Sequence, residues 1–168
     1  LDKNQDKAYA YFVKVSKLLR NSITGTDKLT RTIEEEIQFI GNYLSLQKFR
    51  FEERFSYHIQ VDPSVNLKKK VPKMCVQIFV ENAMKHGIEQ HSGGGLLNVS
   101  ILKKDNSTFF IVEDNGIGRV ASAKAGTQSN GVGLQVFSEF FEIMNRYNVE
   151  PAGFVIHDLF NEKGDASG

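Results

Sequence analysis

Three short stretches hold the side chains best suited to chemistry: "FVENAMKHG" at 79–87, "VEDNGIGR" at 112–119 and "SNGVGLQVF" at 129–137. On a helix, Glu81, Asn82 and Lys85 share one arc, while Val76, Phe79, Val80, Ala83 and Met84 fall on the opposite one. One side is core, and the other offers a carboxylate, an amide and an ammonium together. The plainer reading of that polar side is a solvated face with an i,i+4 Glu81–Lys85 pair. In the second stretch a strand runs into Asp114, whose carboxylate can accept a hydrogen bond from an exocyclic amine. Gly116 and Gly118 let the backbone take φ > 0 and come close to a ligand, although "DNGIG" by itself is equally a tight turn. In the third, Gly131 and Gly133 open a helix at Leu134, whose first free N–H groups and positive dipole end suit phosphate. No Gly-Lys-Ser/Thr follows, so this is not a Walker A loop, and the Rossmann spacing is absent too.

The elements that must position these residues follow from periodicity. Ala8, Tyr11, Phe12, Val15, Leu18 and Leu19 recur at helical spacing up to "TGTD" at 24–27. A second helix opens with a capping box, Thr32 toward Glu35, and shows Ile33, Ile37, Ile40, Leu44 and Phe51 along one face. Together they read as a helical hairpin, packed on the rest of the core or serving as an interface to another subunit. Phe55, Tyr57, Ile59 and Val61 then alternate with polar residues as in a half-buried strand. A helix is expected from about 73 to 85, a hairpin over 97–101 and 108–113, a helix from about 134 to 147, and a strand at 153–160. Helices and an antiparallel sheet in this arrangement predict an α+β fold, a two-layer α/β sandwich.

Composition bounds the function. With 168 residues, 40% apolar and 24% charged, the chain is long enough to bury a core. Its net charge of +1 gives no electrostatic argument for nucleic acid or a membrane surface. Cys75 is a single cysteine, so no internal disulfide forms, which suits a reducing compartment. No apolar run approaches the roughly 20 residues that span a bilayer. Any membrane segment is expected outside this chain.

Taken in order, the three stretches resemble the N box and the two glycine boxes of the GHKL ATPases, the Bergerat-fold superfamily that includes histidine kinases, gyrase-type topoisomerases and the MutL proteins. The likeness is nearest to sensor histidine kinases of the LytS-like class. "VENAMKHGI" matches their N box, "TIEEEIQFIGNYLSLQKFRFEERF" resembles the helix preceding it, and "KAYAYFVKVSKLLRNSI" resembles the helix that follows their phosphoacceptor motif. The resemblance implies a Bergerat ATP-binding fold over 53–168, with 1–52 forming a partial dimerisation and phosphotransfer region plus the first helix of the ATPase unit. It further implies ATP and Mg²⁺ as cofactors. Asn82 would be the metal ligand, Glu81 would orient or deprotonate the attacking group, and Lys85 and His86 would lie near the phosphates. Asp114 would accept from adenine N6, Gly116 and Gly118 would let the loop approach the base, and Gly131, Gly133 and Leu134 would close over the phosphates.

By the same resemblance, the reaction is transfer of the ATP γ-phosphoryl to a His and thence to an Asp of a response regulator. That His belongs to a "PHFLFN"-like motif just upstream of Leu1, and His58, His86, His91 and His157 lack its setting. The chain is therefore expected to be a piece of a longer protein that also lacks the last strand of its fold. The full-length protein is expected to be a homodimeric inner-membrane sensor kinase with this domain in the cytoplasm and no nucleic-acid partner. The alternatives are a non-catalytic nucleotide-sensing or dimerisation module and a GHKL conformational ATPase. The latter would carry a second domain with a catalytic Lys.

Overall fold

The computed structural model describes residues 30–91, 93–118, 152–160 and 168, together with Ser138, Glu139, Phe141, Glu142, Asn145 and Arg146. The first helix of the predicted hairpin, the lid segment and the glycines of the third stretch lie outside the described residues. The order of elements is β1 (Thr30–Thr32), α1 (Ile33–Phe51), a 3₁₀ turn (Glu52–Arg54), β2 (Phe55–Val61), β3 (Lys70–Pro72), α2 (Gln77–Asn82), a π-helix (Ala83–Ile88), β4 (Gly95–Lys104) and β5 (Ser107–Asp114). The fold is α+β, as the sequence predicts.

Helix α1 begins where the capping box places it. The Glu35 N–H donates to Thr32 Oγ1 at 3.2 Å and the Thr32 N–H donates to Glu35 Oε2 at 2.7 Å, so two of the first unpaired donors are satisfied reciprocally. Its buried stripe, Ile33, Ile40 and Leu44, joins Val76, Val80, Ala83, Met84 and Ile88 from the second helical segment and Phe55, Leu97, Val99 and Ile101 from the sheet in one apolar cluster. Burying such side chains contributes roughly 1.5–3 kcal/mol each before ordering costs.

Four sequence expectations need correction. First, the main sheet, ordered β2-β4-β5, is mixed rather than antiparallel: β4 and β5 form the expected antiparallel hairpin, but β2 and β4 run parallel, Phe55 opposite Gly95 through Val61 opposite Ile101. The chain between them carries a helix, and a crossover of that kind returns a strand in the same direction. Second, β1 and β3 make a small antiparallel pair, Thr30 with Pro72 and Thr32 with Lys70, where only a loop was expected. Third, the helix predicted from 73 starts at Gln77, after Met74 in a left-handed conformation (φ 66), and changes to π geometry from Ala83 to Ile88.

The fourth concerns 153–160, which alternates in exposure as a strand would but carries only an isolated bridge at Phe160. Other contacts hold it. Asn145 donates from Nδ2 to the Ala152 carbonyl at 2.7 Å and accepts the Ala152 N–H at 2.8 Å, anchoring the residue just before the segment. Phe154 packs on Phe79 with ring centroids 5.2 Å apart, and on Phe141 at 6.2 Å. Side-chain anchoring on the helical layer therefore sets this segment. Of the described residues within the predicted 134–147 helix, Ser138, Glu139, Phe141, Glu142 and Asn145 are helical and Arg146 is in a turn.

Candidate functional site

The strand-to-loop junction at Asp114 meets the π-helix at Gly87, and the two segments leave no room for a side chain between them. A Cβ on Gly87 would overlap Asp114 Oδ1, and one on Gly116 would overlap the Gly87 backbone. Gly116 therefore serves close approach, whereas Gly118, at φ 74, serves the left-handed turn. The two glycines predicted for one purpose divide it. Asp114 Oδ1 accepts the Gly116 N–H at 2.9 Å. Burial pushes the Asp114 carboxyl above the ordinary carboxylate range, and the Gly116 N–H pulls it partly back.

Asn115 ties the same loop to the sheet. Its Oδ1 accepts the Leu96 N–H at 2.6 Å, its Nδ2 donates to the Gly94 carbonyl at 3.3 Å, and its own N–H donates to the Leu96 carbonyl at 3.2 Å. Sequence reasoning assigned Asn115 no role, because its partners Leu96 and Gly94 lie 19 and 21 residues earlier in the chain. At the other end of the pair, a Cβ on Gly95 would overlap Ile88, so the π-helix is pressed against the start of β4 as well. The Asp114 carboxylate is thereby fixed at the mouth of a close-packed junction.

The helical arcs fall as predicted except at Phe79, which is only half-buried. Val76, Val80, Ala83 and Met84 are buried, Glu81 and Asn82 are half-buried, and Lys85 is exposed. The plainer Glu81–Lys85 pairing is replaced: Gln77 Nε2 donates to Glu81 Oε1 at 2.5 Å, one helical turn back. Tyr43 on α1 stands near the same carboxylate. Its phenol is pushed up to about 12, chiefly by burial and then by the charges of Glu81 and Glu89. His86 is held below its usual range by burial and by the neighbouring Lys85. Gln77 and Tyr43 were missed by sequence reasoning because their roles depend on a contact across a turn and between helices. The structure thus brings together Gly87, Asp114 and Gly116, and sets Glu81, Asn82, Lys85 and His86 on the helical segment that ends in that contact. Gly131, Gly133 and Leu134 lie outside the described residues.

Chemically, this arrangement offers a fixed, half-buried acceptor for a donor on a flat ligand edge, with an amide and charged groups further back along the helix. Residues 1–55 match the family model described as histidine kinase. The chain is also 32% identical over 165 residues to the sensor histidine kinase YesM of Bacillus subtilis, an overlap of 96% of this chain and 27% of that protein. An overlap that wide includes all three motif stretches. The chain is homologous to sensor histidine kinases. It is 33% identical over 116 residues to the sensor histidine kinase/phosphatase LytS of Staphylococcus aureus, covering 68% of this chain and 20% of LytS. For the sensor protein LytS of Staphylococcus epidermidis the figures are 29% over 115 residues, 68% and 19%. The chain thus spans about a quarter or less of the length of these relatives. Among the described residues, no helix is long and apolar enough to cross a membrane.

Proposed function

We propose that the chain is the ATP-binding catalytic part of a two-component sensor histidine kinase, of the GHKL type. The observation that carries this reading is the Asp114 carboxylate, wedged between Gly87 and Gly116 at the end of β5, because a carboxylate fixed there has the chemistry to read an exocyclic amine. The homology to sensor histidine kinases supports the same reading independently.

In this proposal Asp114 accepts from adenine N6, and Gly116 and Gly118 let the loop pass close to the base. Asn82 supplies an oxygen to Mg²⁺, a hard ion that keeps several waters and needs few protein ligands. When bound, the ion neutralises phosphate charge. Lys85 and His86 add positive or donor groups nearby, Glu81 orients the attacking group, and Gly131, Gly133 and Leu134 close over the phosphates. Catalysis is then mostly positioning and electrostatics. The acceptor His lies outside this chain, and the phosphoryl passes on to an Asp of a response regulator. The full-length protein acts as a homodimer, attached to the membrane only through segments outside this chain.

The test is calorimetry with MgATP, followed by labelling with γ-labelled ATP. The chain is expected to bind MgATP and to incorporate no acid-labile phosphate until an upstream segment with its His is joined to it. Failure to bind MgATP refutes the nucleotide reading. Acid-labile phosphate on this chain alone refutes the assignment of an external acceptor.

A further inference from the structure

Glu36 is fully buried, at 0% exposure, between two exposed glutamates and the apolar stripe of α1. A carboxylate in that position is costly unless it is paired and hydrogen-bonded. Its Oε2 stands 3.0 Å from Arg31 Nε, and Arg31 lies over the Phe39 ring at 4.8 Å. Its Oε1 accepts the Val76 N–H at 3.1 Å and the Gln77 N–H at 3.5 Å, with Cys75 Sγ at 4.0 Å. Helix α2 has no side-chain cap of its own, so a residue 40 positions earlier supplies it. The line of contacts does not end there. Gln77, whose N–H meets Glu36, donates from its side chain to Glu81 Oε1 at 2.5 Å. Arg31, Glu36, Gln77 and Glu81 thus form one chain of polar contacts from β1 to the helical face of the candidate site.

Stability alone is a weak reason for this arrangement, because well-packed apolar residues often match or exceed a buried ion pair. What an apolar replacement cannot do is fix where α2 starts. We propose that Glu36 is a positioning residue for the nucleotide site, setting through Val76 and Gln77 where Glu81 and Asn82 stand; this rests on the ATP-binding reading above. Arg31 balances the charge of the other carboxylate oxygen at 3.0 Å, as an ion pair without hydrogen-bond geometry. Because Arg31 sits on β1, the start of α2 is tied to that strand as well.

The experiment uses Glu36→Gln in the 168-residue chain. This change keeps the side-chain shape and leaves Arg31, whose side chain is 13% exposed, a route to water. Affinities for MgATP and adenosine are measured by calorimetry, and exchange of the Val76 and Gln77 amides by NMR. The expected result is about tenfold weaker MgATP binding, a change in adenosine binding of less than about twofold, and faster exchange at both amides. If the thermal midpoint falls while the ratio of MgATP to adenosine affinity stays constant, Glu36 is only a structural residue and the proposal is overturned. Should Glu36→Gln fail to fold, Glu36→Asp keeps the charge but draws it back from Val76, and the same split is expected. An unchanged ratio in that variant also overturns the proposal. A wild-type chain that binds no MgATP refutes the ATP reading before any variant is made, so the two failures are distinct.

Discussion

Gly87 Cα packs directly against the Asp114 carboxylate: a Cβ added to Gly87 would overlap Oδ1 and lie 3.0 Å from Cγ. Both partners are held in place, since Asp114 Oδ1 also accepts the Gly116 N–H and Gly116 itself abuts the Gly87 backbone. Gly87→Ala should therefore push the carboxylate out of position. Overpacking of this kind costs about 1–3 kcal/mol of stability. Adenosine affinity should fall about tenfold or more, because a misplaced acceptor leaves the amine unpaired. Thermal unfolding and calorimetry on the variant check both. Unchanged adenosine binding would remove Asp114 from the site.

The pH response of Asp114 has a definite sign. Burial holds its folded pKa above the unfolded value. In the ligand-free protein, its contribution to stability is therefore complete below the unfolded pKa and is lost as pH rises through the raised folded value. The proposed reading of adenine by Asp114 runs the other way, since the ionised form is the better acceptor. Adenosine affinity should weaken as pH falls through the folded pKa, starting at higher pH than for an ordinary aspartate. Calorimetry between about pH 7 and pH 4 should show this slope in the wild type and a flat response in Asp114→Asn.

Asp114 should also distinguish bases. A site built around one amine rejects a ligand without it, so ATP is expected to be preferred over GTP by about tenfold or more, with the preference gone in Asp114→Ala. Equal competition by the two nucleotides for the wild-type chain refutes the adenine assignment.

Asn82 is half-buried on the helical segment that ends at Gly87. If it carries the metal contact, Asn82→Ala should remove the gain in ATP affinity that Mg²⁺ brings and leave adenosine binding nearly unchanged. Titrations with and without Mg²⁺ separate these. Equal loss of both would make Asn82 a residue of the fold.

Cys75 is buried, and burial together with the nearby Glu36 charge pushes its thiol well above the usual range. Thiolate is the reactive form. Under native conditions at mildly alkaline pH, a thiol reagent should leave Cys75 unmodified and label it only on unfolding. Rapid labelling of the folded chain would contradict the packing around Glu36.

The sequence made legible whatever depends on local pattern. The capping box at Thr32 and Glu35, the alternation at Phe55–Val61, the β4–β5 hairpin and the apolar arc of Val76, Val80, Ala83 and Met84 each follow from spacing within one element. What it concealed depends on contacts between elements. Glu36 reads as one of three acidic residues in a first turn, and only the arrival of Val76 from a distant segment gives its burial a reason. Gly87 has no role in the sequence pattern, and only Asp114 explains why no side chain fits there. The π turn has no period of its own to detect, and parallel pairing of β2 with β4 leaves no mark on either strand's alternation.

That parallel pairing also governs how the protein must assemble. The β4–β5 hairpin is local and closes across a short turn, but Phe55 meets Gly95 only after the whole intervening chain has been brought back. Such non-local closure is entropically costly and slow. The excursion being closed is the one that carries α2 and the π-helix, and the strand that receives it leads through the hairpin to Asp114. Closing the sheet therefore returns to β2 the same β4–β5 unit that carries Asp114 to Gly87, so the parallel pairing and the Gly87–Asp114 junction share that hairpin.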